Sequence, residues 1–325
     1  YSINSFLFTD NFDAMVLGYQ NSSLAQHIVA QSIFGGLSIN GNIPVSTKHF
    51  SINSGHTTDS IRLSYGLQLY KNFNKKLEFM IDSLVDNAIK EKAIPGCQIL
   101  IAKKGNVVFN KSYGYHTYEN NQAVKNTDVY DIASITKIVA TVPALMHMYD
   151  NQDLHLDSTL GSLLALEGSN KKDLIIRDIL THQSRLIPWI PFYRKTLDKD
   201  ENTDFMKLRD TLYSRKLSRT FSIPVADSIY LHYSFSDSII KQIIDSDLLE
   251  TKEYIYSDLG YYLFKKIIED KFEMPFNDYL ENNYYNELGM ENLCFLPKKK
   301  LEMSRIIPTE NDFEFRGQLL KGNVH

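Results

Sequence analysis

Cysteine is scarce in this 325-residue chain. Cys97 and Cys294 are its only two, which is too few for a disulfide framework or a thiolate metal site, and both read as ordinary buried or half-buried thiols. Also lacking are a leader pattern and any apolar run approaching about 18 residues, so no segment is expected to span a membrane. The first residue is Tyr1 and not a methionine, so the missing leader says nothing about compartment. No charge of one sign dominates: 35 Lys and Arg stand against 39 Asp and Glu, a net −4, and the basic residues are scattered. Nucleic acids and other polyanions are therefore not expected partners. What is present, 43% hydrophobic residues, excludes a disordered chain and provides for about two domains with cores of their own.

Organisation follows from periodicity. In residues 13–45, "AMVLGY" reads as a short buried strand, Ser22 or Ser23 caps a helix carrying Leu24, Ala25, Ile28, Val29 and Ile33, and Gly35-Gly36 ends it. One β-α unit is too little for a domain. Residues 46–60 are polar and aperiodic, and their His49 and His56, without a second ligand pair at metal spacing, read as solvated loop histidines; no metal or other cofactor is expected. From Lys76, Leu77, Met80, Ile81, Leu84, Val85, Ala88 and Ile89 predict a helical face, followed by two β-rich runs joined as a hairpin at Lys104-Gly105-Asn106.

The stretch "VYDIASITKIVATVPALMHMY" carries the chemistry. Ile138, Val142, Leu145, Met146 and Tyr149 predict a helix over 134–150, with Ser134 in its first turn and Lys137 on the same face one turn on, within proton-exchange distance of the hydroxyl. A helix start also favours the negative charge of a developing alkoxide. Ser-x-x-Lys alone decides nothing, because about one match is expected by chance in a chain of this length. Ser169 with Lys172 and Ser238 with Lys241 are two more matches, in a polar loop and in a segment without a partner motif. An N-cap serine followed by a solvated lysine is the plainer alternative for Ser134. His182 closes a helix expected over 174–182 and reads as a structural helix-end histidine. Residues 195–250 read as a helical subdomain whose aromatics, with Trp189, Phe192, Tyr193, Tyr213 and Tyr230 nearby, are ordinary core or wall a pocket.

A second element, "YIYSDLGYYLFKKIIED", predicts a helix on Leu259, Tyr262, Leu263, Ile267 and Ile268 with Tyr256-Ser257-Asp258 just before it. Ser134-x-x-Lys137, "ILTHQSRL" and Tyr256-x-Asp258 in this order resemble the serine β-lactamase and penicillin-binding-protein superfamily, in its class C and esterase branch, over about 76–325. That resemblance implies an α+β, transpeptidase-like fold, a helical subdomain plus an antiparallel sheet, with Ser134, Lys137 and Tyr256 catalytic and Asp258 their second-motif partner. Two departures from the family pattern stand out: Asp258 replaces asparagine, and Arg185 replaces a glycine. The third motif, Lys-[Ser/Thr]-Gly or His-x-Gly, is missing, since none of the nine histidines has glycine two residues later. Gly41-x-Ile43-Pro44-Val45, the strand and helix before it, and "RLSYG" at 62–66 resemble the end of the C-terminal α/β sandwich of glycoside hydrolase family 3.

Together the two resemblances divide the chain into a sandwich tail over 1–66, a linker over 67–75 and a β-lactamase-like domain over 76–325 that supplies only the 97–114 hairpin of its sheet. They imply an internal piece of an extracytoplasmic glycosidase fusion, inactive by itself. The implied substrates are small-molecule or cell-wall acyl compounds: esters, β-lactams or D-alanyl peptides. The expected chemistry is acyl transfer through an acyl-enzyme. Lys137 can act as base only if its pKa is lowered, and Asp258 nearby would hold it protonated, leaving Tyr256 to carry the proton. The oxyanion hole is expected to use the Ser134 N–H and a second N–H from the missing strand. The competing expectation is a catalytically silent cell-wall or glycan-binding appendage.

Overall fold

Residues 12–47, 49–65, 71–199 and 206–324 are described by a computed structural model, and the chain divides into two units, Tyr1–Thr127 and Asp128–His325. In the first, helix α1 (Ser23–Ile33) starts where Ser22 Oγ accepts the Ala25 N–H at 3.2 Å and ends at Gly35, whose φ is +74°. The strand expected over 14–19 is not formed: this stretch is extended chain without a ladder partner among the described residues. A lone strand has nothing to satisfy its backbone groups. It lies instead along α1, where a Cβ on Gly18 would stand 2.8 Å from Val29. Helix α1 buries none of its residues.

Strand β1 (Ser64–Tyr65) runs parallel to the strand that begins at Asn106. Residues 66–70 lie outside the described ones, so of the linker expected over 67–75 only the part from Lys71 is described, and there helix α2 (Lys71–Lys90) has already begun. Strands β2 (Gly96–Lys103) and β3 (Asn106–Gly114) form the expected hairpin. Its turn holds Lys104 at φ +51° and Gly105 at φ +75°, the two left-handed residues that a tight turn needs to match the strand twist. Ile81 and Val85 of α2, flanked by Leu77 and Ile89, pack on Phe109 and Tyr113. Met80 and Leu84, expected on that face, are exposed: the stripe spaced by four residues is enough to cover a two-stranded ribbon.

The second unit begins with the Ser134 segment, which is not the uniform helix expected. Ser134 lies in a turn, Lys137–Thr141 form a π turn, and helix α3 (Val142–Asp150) follows. Pro143 accounts for this. It has no N–H for the Val139 carbonyl, and its ring would collide with that carbonyl in an α-helix. The turn widens, the Val142 N–H reaches back to Lys137 O, and Tyr285 OH donates to Val139 O at 3.1 Å. The extra residue rotates the face, so that Ala140, Ala144, Leu145 and Met148 are buried while Ile138, Met146 and Tyr149 are exposed, contrary to the periodicity.

Helix α4 (Ile176–Leu180) follows, shorter than expected. Three small antiparallel sheets come next: β4 (Leu197–Lys199) with β5 (Met206–Leu208); β6 (Tyr213–Ser214), β7 (Phe221–Ala226) and β8 (Ile229–His232); and, later, β9 (Pro308–Asp312) with β10 (Gln318–Lys321). They correct the expectation of a helical 195–250 region and are separate from the sheet that holds the 97–114 hairpin. Strands of two to six residues are too short for alternation to register, and β7 carries Pro224, allowed because it is an edge strand. Helices α5 (Phe235–Asp245), α6 (Leu259–Phe272) and α7 (Phe276–Leu280) complete the unit, whose main core joins Leu145, Met148, Ile176, Ile179, Leu263, Phe264, Ile267 and Leu280. Cys97 and Cys294 are free and partly buried. No helix among the described residues is long and apolar enough to cross a membrane.

Candidate active site

The turn before the π segment sets Ser134. Ala133 sits at φ +43°, a costly conformation for alanine, held by its N–H donating to Asp131 Oδ1 at 2.7 Å. Ser134 is exposed there, and Lys137, whose N–H donates to Ser134 O at 3.1 Å, begins the π turn.

The second element is fixed from behind by residues 182–188. The Ile255 N–H donates to His182 O at 2.9 Å, the Ser257 N–H to His182 Nδ1 at 3.2 Å, Ser257 Oγ to Ile187 O at 2.7 Å, and the Asp258 N–H to Pro188 O at 3.0 Å. Ser257, almost fully buried, also accepts the Leu259 N–H that opens α6. The His182 ring packs 4.4 Å from that of Tyr256. Burial first, then the charge of Lys137, holds its pKa below the ordinary histidine range, so the ring is neutral and its Nδ1 is the acceptor. Arg185, at φ +67°, binds Leu249 twice, its carbonyl accepting the Leu249 N–H and its Nε donating to Leu249 O.

These two supports bring Ser134, Lys137, Tyr256 and Asp258 together. Lys137 Nζ lies 2.9 Å from Ser134 Oγ, 2.6 Å from Tyr256 OH and 2.6 Å from Asp258 Oδ1. The last is a close ion pair whose angles fall outside hydrogen-bond geometry. An ammonium has three N–H donors, and here three oxygens surround it. The Lys137 side chain is only 13% exposed. Burial works against its charge, but Asp258 and Tyr256 outweigh burial and hold the pKa above the ordinary lysine value. The nitrogen also stands over the Tyr256 ring, 4.8 Å from its centre. An ammonium in this place can hold the serine oxygen in position and can stabilise a phenolate on Tyr256.

Neither other serine has this setting. Ser169 Oγ donates to Ile244 O at 3.2 Å, and Ser238 Oγ accepts from Gln242. Lys241 pairs with Asp245. His49 and His56 lie on exposed loops, and no cluster of metal-binding type occurs among the described residues. Two contributors were missed in the sequence, His182 and Ser257. Their only signal there was position, "ILTHQSRL" between the two motifs and a serine inside Tyr-x-Asp.

The family model described as Beta-lactamase matches residues 81–300. The N-acetylmuramyl-L-alanine amidase of Bacillus subtilis is 25% identical over 242 residues, 70% of this chain and 48% of that protein. A penicillin-binding protein homologue from Pyrococcus abyssi superposes with a TM-score of 0.51 at 21% identity, covering 75% of this chain and 50% of the other. A class C β-lactamase solved with cefoxitin gives 0.51 at 16% identity, covering 74% and 57%. These two superpositions establish the fold. The chain spans half or less of the length of the curated relatives it matches.

Proposed function

The chain belongs to the beta-lactamase family, and on that premise we propose that it is a serine hydrolase or acyl-transferase working through an acyl-enzyme on an ester, β-lactam or D-alanyl peptide. Ser134 is the nucleophile, Tyr256 the proton carrier, and Lys137 an ammonium that Asp258 keeps charged. The reading rests on one observation, the Lys137 nitrogen at 2.9 Å from Ser134 Oγ and 2.6 Å from Tyr256 OH.

In the forward step Ser134 Oγ bonds to the acyl carbon, and its proton passes by way of Tyr256 to the leaving oxygen or nitrogen as the acyl bond breaks. Tyr256 takes that proton as a phenolate and becomes one again on passing it on, and the Lys137 charge offsets the phenolate's negative charge. Water then repeats the cycle in reverse to release the acid, or another alcohol or amine takes the acyl group.

Residues 76–325 form the β-lactamase-like domain in this reading. Residues 1–66 are the tail of a fused glycosidase sandwich and 67–75 the linker. Favouring that fusion is α1, an apolar helix with no buried residue, as expected of an element whose covering layer belongs to another domain. An extracytoplasmic location agrees with the amidase and penicillin-binding-protein names of the relatives. The second reading, a catalytically silent cell-wall or glycan-binding appendage, draws on Asp258, since a lysine held protonated is no base.

Treatment of the full-length protein with a fluorophosphonate and measurement of intact mass distinguishes the two. The enzyme gains one adduct, mapped to the Ser134 peptide and absent from Ser134→Ala. A silent module gains none, and an adduct on any other serine overturns the assignment.

A further inference from the structure

We infer that the Ser134 site selects neutral esters with apolar acyl chains and discriminates against substrates that carry a carboxylate, β-lactams and D-alanyl peptides included. This deepens the serine-hydrolase reading and rests on it.

Charge is the first reason. The cation in contact with the serine is Lys137, which donates to Ser134 Oγ and Tyr256 OH and has Asp258 Oδ1 paired with it at 2.6 Å. A carboxylate arriving at Ser134 therefore finds the charge of that ammonium already paired. It meets a pair with no net charge and, beyond it, a second negative oxygen. Asp258 Oδ1 is buried while the side chain as a whole is 43% exposed, so the exposure falls on the rest of the carboxylate, Oδ2 among it. A like charge at that range repels. An asparagine in the same place would donate an N–H where this chain presents an acceptor.

The second reason is the surface beside Asp258. Tyr262, one turn along α6, was expected in the core and is 41% exposed. Its hydroxyl pKa is pushed up by burial and then by the charge of Asp258, which places it near that carboxylate. Its ring meets Phe192 edge to face at 5.7 Å. Trp189, exposed, follows the Pro188 whose carbonyl accepts the Asp258 N–H. On the other motif Ile135 and Ile138, next to Ser134 and Lys137 in the chain, are also exposed. Exposed aromatic side chains thus lie beside Asp258 of a charge-compensated centre, with two exposed isoleucines in the Ser134 motif, a setting for an acyl chain.

The test compares, on the full-length protein, p-nitrophenyl hexanoate with mono-p-nitrophenyl adipate, matched in length and differing in a terminal carboxylate. Acylation of Ser134 releases p-nitrophenolate: the Oγ–acyl bond forms, the aryl ester bond breaks, and the serine proton leaves through Tyr256 to solvent. Each burst rate is divided by the rate of the same ester with hydroxide, and the acyl adduct is located by mass. The hexanoate should react about tenfold faster or more. Asp258→Asn should bring the two rates together by raising that of the adipate. In the wild type, 1 M salt should narrow the gap in the same direction, so the inference stays testable if the variant does not fold. Equal rates, or a faster adipate, with an adduct on Ser134 overturn the inference and leave the serine-hydrolase reading standing. No adduct from either ester removes both.

Discussion

Lys137 and Lys171 each follow a serine closely in the chain, and each holds its ammonium away from solvent, but in different company. Lys171 is fully buried, with Asn170 Oδ1 at 2.7 Å, the Ile244 carbonyl at 3.5 Å and the Ser246 carbonyl as its acceptors. All three are neutral. Burial pushes its pKa down against the more distant charges of Asp247 and Asp245. Lys137 is less buried and pairs directly with Asp258, and its pKa goes up. The lysine easier to deprotonate thus touches no reactive oxygen, and the one touching Ser134 is kept charged. Burial alone does not make a lysine a base; the charge of its nearest partner decides.

Removing each lysine should separate these roles. Lys137→Ala should slow fluorophosphonate labelling of Ser134 by about 1000-fold or more, and Tyr256→Phe by about 100-fold. Ser169→Ala and Ser238→Ala should leave labelling unchanged. Lys171→Ala should instead cost stability, about 2–4 kcal/mol by urea unfolding, from the cavity and the carbonyls left without a donor. Its folded fraction should label at the wild-type rate.

Asp258→Asn sharpens the comparison by making the partners of Lys137 neutral too. The Lys137 pKa should fall, and the alkaline limb of the labelling rate, where the ammonium is lost, should move about one pH unit lower. An unchanged profile would show that Asp258 and Lys137 do not communicate.

The smallest effect is on alkaline stability. Lys171, lowered when folded, binds fewer protons in the folded than in the unfolded chain between its folded pKa and 10.5. The stability of the wild type relative to Lys171→Met should therefore rise with pH across that window. Lys137 is raised, so its contribution is complete below 10.5 and lost only as pH climbs through the higher folded value. The stability gap to Lys137→Met should accordingly stay flat up to 10.5, which unfolding midpoints measured from pH 8 to 10.5 would check.

The long elements and the two motifs were legible in the sequence because their signals are local. Periodicity marked α2 and α6, Lys104-Gly105 marked the hairpin, and Tyr256-Ser257-Asp258 sat just ahead of a clear helix. The π turn was not legible as such, although its cause, Pro143, stood in plain view: periodicity assumes 3.6 residues per turn, and one extra residue turned Ile138 and Met146 outward. The short sheets over 197–232 and 308–321 depend on pairing between strands of a few residues, which leaves no local pattern. His182 was invisible as a contributor for the same reason, because its part lies in backbone contacts to residues 255 and 257.

Whether Lys137 is an ammonium or a free amine at working pH bears most directly on the proposed mechanism. Labelling the lysine side chains with carbon-13 and following the Cε shifts against pH, with Lys137→Met and Lys171→Met to assign the two signals, gives both titrations in one experiment. Lys171 should titrate below the ordinary lysine value and Lys137 above it, leaving Tyr256 as the proton carrier. A Lys137 that titrates below Lys171, near neutral pH, would contradict the account and make that lysine the base.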